Sequence, residues 1–173
     1  MRHHLLLTRH AKSSWGELSL ADSDRPLAPR GVKSLSKMRD HLRAASTPRP
    51  DLVLCSPARR TVDTLAGIQP ALTDEVRIQS ADDIYGAGAA DLIGLLRTVA
   101  TETRCTMVVG HNPGLQDLAL ALVAAGDREA RDQLWEKYPT GAIATISFEV
   151  PWAALAPGVG QLEELFMPRR PRP

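Results

Sequence analysis

The chain has 173 residues, 43% of them hydrophobic, enough for one well-buried core and too few for two comfortable domains. Its 21 basic and 20 acidic side chains leave a net charge of +1. That balance argues against a general nucleic-acid or membrane-surface role, each of which needs an excess of one sign on a face.

The N-terminus, Met1-Arg2-His3-His4, leads straight into Leu5-Leu6-Leu7, with no long apolar region and small-residue cleavage site of the secretory kind. A cytoplasmic setting is expected. His3 and His4 read as solvated strand-edge histidines, since no other His lies at metal-ligand spacing. The short apolar run predicts a buried strand whose end carries Thr8-Arg9-His10-Ala11-Lys12. Ser13 to Pro29 is polar and irregular, and its prolines at 26 and 29 predict a loop crossing the surface. Val32, Leu35, Met38 and Leu42 then recur at helical spacing.

Asp51 to Cys55 predicts a second strand, followed at once by Ser56-Pro57. Ser at the cap and Pro at the first position predict a helix from there to Ala66. Residues 70 to 89 are mixed, with a short strand at Val76 to Ser80 and a Gly-rich loop at Tyr85 to Gly88, and Ala90 to Val99 is again helical. Thr106 to Gly110 predicts a third buried strand, ending in His111-Asn112-Pro113-Gly114. An apolar helix from Leu115 to Ala125 stops at Gly126. A polar helix, Asp127 to Lys137, carries Leu134 and Trp135 on one side. Two strands, Ala142 to Val150 and Gln161 to Phe166, precede a basic proline-rich tail, 168–173, read as frayed. The longest apolar run, Leu118 to Ala125, is less than half a bilayer span, so no membrane role is expected. Cys55 and Cys105 sit in or beside apolar runs and read as buried free thiols of a reducing compartment.

One pattern occurs three times: an apolar strand, then an Arg or His at once or one helical turn later. Parallel strands interleaved with helices make an α/β protein and bring Arg9, His10, Arg60 and His111 to one edge of the sheet, where ligands collect. Two histidines and two arginines suit a phosphate, whose oxygens match the forked donors of guanidinium and whose charge favours helix N-termini near Ser56 and Pro113. They suit a metal poorly, because no carboxylate or thiol joins the histidines at ligand spacing. No metal or cofactor is expected.

Thr8-Arg9-His10-Ala11-Lys12, Ser56-Pro57-x-x-Arg60-x-x-x-Thr64 and Val109-Gly110-His111-Asn112-Pro113 resemble the three signatures of the histidine phosphatase (phosphoglycerate mutase-like) superfamily. Arg25-Pro26-Leu27-x-x-x-Gly31, with Trp152 and Gly158-x-Gly160-x-Leu162, resembles its SixA branch of protein phosphohistidine phosphatases. Two positions depart from the superfamily pattern: Ala11 follows His10 where Gly is usual, and Thr61 stands where Ala is commoner. The resemblance implies a three-layer α/β/α sandwich with a mostly parallel central sheet, spanning the chain as a single domain.

It also implies His10 as nucleophile, forming a phosphohistidine that water cleaves, with Arg9, Arg60 and His111 holding the phosphoryl oxygens. Arg25 has two readings: a further phosphate contact, or a salt bridge to Asp22 or Asp24. Many superfamily members place a Glu between the second and third motifs as the acid. Here Glu75 and Glu102 lie in no recognisable setting, while Asp82 and Asp83, near the expected region, read either as the acid or as solvated loop carboxylates. An imidazole leaves with less help than an alkoxide, so the expected activity is a metal-independent phosphatase acting on phosphohistidine in a protein partner. The alternatives are a small-molecule phosphomonoesterase using Asp82 or Asp83, and a non-catalytic phosphate-binding module. A mutase is disfavoured, as little extra basic surface offers itself for a second phosphate.

Overall fold

A computed structural model describes residues 1–16 and 19–168, so most of the basic tail lies outside the described residues. Its centre is a seven-stranded sheet in the order β3-β2-β4-β1-β6-β7-β5. The strands are β1 (His3–Arg9), β2 (Leu52–Cys55), β3 (Arg77–Ser80), β4 (Cys105–Gly110), β5 (Val123–Gly126), β6 (Ile143–Phe148) and β7 (Gly160–Phe166). Four of the six neighbouring pairs are parallel, and the two antiparallel pairs both involve β6. The expected mostly parallel α/β sandwich is therefore the observed fold.

Helices α1 (Pro29–Arg43) and α2 (Arg59–Ile68) cover one face, and α3 (Ala89–Leu96), α4 (Gly114–Leu122) and α5 (Arg128–Glu136) the other. This explains the uninterrupted Leu5-Leu6-Leu7. Leu6 packs toward α1 and α2, while Leu5 and Leu7 pack toward the opposite layer, and all three are fully buried. A strand covered on both sides has no polar face to alternate with. Among the described residues no helix is long and apolar enough to cross a membrane.

Several local expectations are corrected. Pro29 is the first residue of α1 and not part of a loop, because a proline lacking its N–H costs nothing in a first helical turn. Ser56 and Pro57 do not open α2, which begins at Arg59 after Ala58. The carbonyls of Ser56 and Ala58 instead accept from the Thr61 hydroxyl at 2.8 and 2.6 Å. The helix expected to reach Ala125 ends at Leu122, and Val123 to Gly126 becomes the edge strand β5, parallel to β7. Backbone pairing with β7 overrides the helical appearance of an Ala-rich run. Trp135 does not share the buried side of Leu134 but stands exposed.

His3 is not solvated: it is buried, its Nδ1 lies 3.0 Å from the Thr103 carbonyl, and its ring stacks on Phe148. Trp152 closes the same cluster and donates through Nε1 to that carbonyl at 2.7 Å. Cys55 and Cys105 are buried free thiols, and burial pushes Cys55 up to about 12.

Candidate active site

Strand register brings the three motifs together. In the parallel β1–β4 pair, Arg9 lies opposite Gly110, so the next residues, His10 and His111, emerge side by side. Cys55 pairs with Val109 across β2–β4, and Ser56 N–H donates to the Val109 carbonyl at 3.0 Å, which sets Ser56 beside the same point. The His10 and His111 ring centroids are 5.3 Å apart. Ser56 Oγ lies 2.7 Å from His111 Nε2.

The His10 ring is held in one orientation. Nδ1 lies 2.7 Å from the Ala11 carbonyl, which can only accept, so in the neutral ring the proton sits on Nδ1. Nε2 keeps its lone pair and has no hydrogen-bond partner among the described residues. Ala11 N–H donates to Thr64 Oγ1 at 3.0 Å, and that hydroxyl donates to the Arg60 carbonyl at 2.6 Å. The Thr of the second motif thus ties α2 to the backbone just after His10.

Burial lowers His10 to about 3, and the nearby His111, Arg60 and Arg9 push the same way against the Ala11 hydrogen bond. Burial, reinforced by Arg60, lowers His111 to about 4. Both rings are neutral at pH 7. The Arg9 guanidinium donates through Nη1 to the Tyr138 carbonyl at 2.6 Å. Its Nε and His111 Nδ1 are buried with no hydrogen-bond partner among the described residues.

Arg60 is engaged by a residue from another part of the chain. Its Nη1 donates to the Asp22 carbonyl at 2.6 Å and its Nη2 to Asp22 Oδ2 at 2.9 Å. Tyr85 Oη donates to that same Oδ2 at 2.7 Å, and the Tyr85 ring stands edge-on to His111 with centroids 5.4 Å apart. The Tyr85 hydrogen bond is the main cause holding the Asp22 carboxyl well below the usual range, with Arg25 and Arg60 adding to it. Gly114, at the start of α4, lets the Tyr85 loop approach, because a Cβ there would lie 2.2 Å from the Ala87 carbonyl.

The family model for the histidine phosphatase superfamily (branch 1) matches residues 5–84. An uncharacterized protein of Mycobacterium tuberculosis (strain H37Rv) is 36% identical over 165 residues, covering 93% of this chain and 99% of the relative. The chain belongs to the histidine phosphatase superfamily. Among solved structures, a candidate phosphohistidine phosphatase SixA from Nakamurella multipartitia is 28% identical with a TM-score of 0.84, covering 97% of each chain. A second such SixA candidate, from Agrobacterium tumefaciens, is 28% identical with a TM-score of 0.78, covering 96% of this chain and 99% of that one.

In this histidine phosphatase fold, Arg9, His10, Arg60 and His111 come together as the motifs suggest. Arg25 enters only through Asp22: its three nitrogens donate to the Ser14 carbonyl, Asp22 Oδ1 and Ser13 Oγ at 3.0, 2.8 and 2.8 Å. Of its two sequence readings, the salt bridge to Asp22 is the one observed. Asp82 and Asp83 are exposed in a 3-10 turn and line a cavity of about 760 Å³ with Arg77, Gln79 and Thr98. Neither carboxylate bonds to the cluster. Among the described residues no three His, Cys, Asp or Glu side chains form a metal-holding group. Sequence reasoning missed Asp22 and Tyr85 as members of the site, since only the fold sets them against Arg60 and His111.

Proposed function

We propose that the protein is a metal-independent phosphatase in which His10 is the nucleophile and phosphohistidine in a protein partner is the substrate. Nε2 of His10 attacks phosphorus in line, the P–N bond to the substrate imidazole breaks, and the departing imidazole takes its proton from solvent. Water then cleaves the His10–phosphorus bond, releasing inorganic phosphate and restoring the neutral ring. Arg9, Arg60 and His111 are assigned to the three non-bridging oxygens, whose charge they stabilise in the transition state.

One observation carries the substrate class. Asp22 is the one carboxylate hydrogen-bonded into the cluster among the described residues, and Tyr85, Arg25 and Arg60 keep it ionised. An ionised carboxylate has no proton to give, so departure of an alkoxide goes unassisted. An imidazole is a much weaker base and leaves without that help. The exposed setting of Asp82 and Asp83 weakens the phosphomonoesterase alternative. The buried free cysteines fit a cytoplasmic setting.

The test is turnover of a phosphohistidine protein beside a simple alkyl phosphate, with alkaline quenching of labelled enzyme to keep a phosphohistidine intact. Faster phosphohistidine turnover and label on His10 are expected. Fast alkyl phosphate hydrolysis without phosphohistidine activity refutes the substrate class, and binding without a covalent adduct points to a non-catalytic phosphate-binding module.

A further inference from the structure

Beside the catalytic cluster runs a groove that the proposed chemistry does not use. It encloses about 200 Å³ and is lined by Lys12, Arg30, Ser34, Pro139, Thr140 and Pro168. Among the described residues its walls carry two cations and no carboxylate. Neither Lys12 nor Arg30 has an ion-pair or hydrogen-bond partner for its side chain among the described residues, whereas Arg9, Arg25 and Arg60 are all engaged.

The groove shares its framework with the catalytic centre. Lys12 is two residues past His10, and its carbonyl accepts from Ala28 N–H at 2.8 Å, which seats the first turn of α1 and Arg30 against it. On the other wall, Pro139 follows the Tyr138 carbonyl that holds the Arg9 guanidinium. Gly141 N–H lies 3.0 Å from the His10 carbonyl, and a Cβ on Gly141 would lie 3.0 Å from Pro168, so one residue separates the His10 backbone from the end of the groove. The groove therefore opens one residue from the strand end that carries His10.

We propose that this groove is an accessory subsite for an acidic side chain of the phosphorylated protein, flanking the residue that carries the phosphoryl group. The inference rests on the phosphatase reading above and adds a rule for choosing among substrates. Size and charge select the occupant: pockets for whole small molecules begin near about 300 Å³, whereas this volume suits one side chain, and two free cations call for an anion. Exposed ion pairs are individually weak, so the preference for acidic over neutral neighbours is expected to be about fivefold and to shrink with salt.

The experiment uses two phosphohistidine peptides that differ only in carrying Glu or Gln beside the phosphorylated residue, with inorganic phosphoramidate as a substrate lacking any flanking group. Wild-type protein should favour the Glu peptide about fivefold in kcat/KM. Lys12→Gln with Arg30→Gln should bring the ratio close to one, and Arg30→Glu should favour the Gln peptide. Equal rates on the two peptides, or a preference that survives the double substitution, overturn the subsite. Discrimination among small carboxylated phosphates with equal peptide rates overturns it as well. If neither phosphoramidate nor peptide is hydrolysed, the phosphatase reading fails by itself, and anisotropy of the labelled peptides on the same proteins still decides whether the groove selects acid.

Discussion

Arg60 and Asp22, 38 residues apart, are joined twice: the guanidinium donates to both the main-chain carbonyl and the carboxylate of Asp22. The pair sets the plane of Arg60 and also places a fixed negative charge beside a site assigned to an anion. These two effects predict opposite changes in binding and in rate. Asp22→Asn should tighten competitive inhibition by inorganic phosphate several-fold, because a charge competing for Arg60 is gone. It should also lower kcat about tenfold, because the charged anchor of Arg60 is lost. Inhibition and steady-state rates measured together decide it, and unchanged phosphate affinity would show the carboxylate to be electrically remote from the ligand.

The imidazoles make a prediction about pH. His10 is lowered to about 3 and His111 to about 4, chiefly by burial, whereas an unfolded histidine titrates near about 6.5. Between those values the unfolded chain binds more protons, so stability is fully present above pH 6.5 and falls as the pH drops toward the folded values. Urea midpoints should fall from pH 7 to pH 5, and less steeply in His10→Gln. Ring resonances of both histidines should show no titration between pH 8 and 5.5. A midpoint near 6.5 for either ring would overturn the lowering by burial that keeps it uncharged across this range.

What was readable in the sequence follows from the range of the interactions involved. His10 and His111 could be paired because each directly follows an apolar strand, and parallel register does the rest. Arg60 could be placed beside them because it lies at the start of the helix that follows β2. Asp22 could not: its stretch reads as irregular, and its attachment to Arg60 and Tyr85 depends on how a short 3-10 turn, the start of α2 and the Tyr85 loop settle together. The run from Val123 to Ala125 reads as helix in the sequence for a related reason. Its Ala-rich composition says helix locally, while the open edge of β7, supplied from almost 40 residues later, holds it extended.

Tyr138 links the core to the cluster through separable parts. Its hydroxyl donates to the Leu7 carbonyl and accepts from Ala144 N–H at 2.9 Å, while its main-chain carbonyl holds Arg9. Tyr138→Phe removes the hydroxyl inside a fully buried site, leaving a backbone donor and acceptor with one bond fewer each. A loss of about 1–3 kcal/mol in unfolding free energy is expected. The carbonyl to Arg9 remains, so kcat on phosphoramidate should stay within about twofold of wild type, and a large fall in kcat at full stability would overturn this division.

Gly31 supports both the loop after His10 and the groove. It lies in the first turn of α1 against the backbone of Lys12, and a Cβ there would meet the Lys12 carbonyl oxygen at 2.2 Å and the Lys12 nitrogen at 2.9 Å. These are backbone atoms, which cannot turn aside as a flexible side chain can, so Gly31→Ala must move α1 away from the strand end. Overpacking of this kind costs about 1–3 kcal/mol, which denaturant unfolding would register. The shift also displaces Lys12 from Arg30, so preference for an acidic peptide should drop more than turnover of phosphoramidate. Gly94→Ala provides the control, since a Cβ at Gly94 meets nothing within 4 Å and a helix interior favours Ala, so that variant should be at least as stable as wild type. Equal stability of the two variants would mean that the close approach of α1 to Lys12 does not constrain the fold.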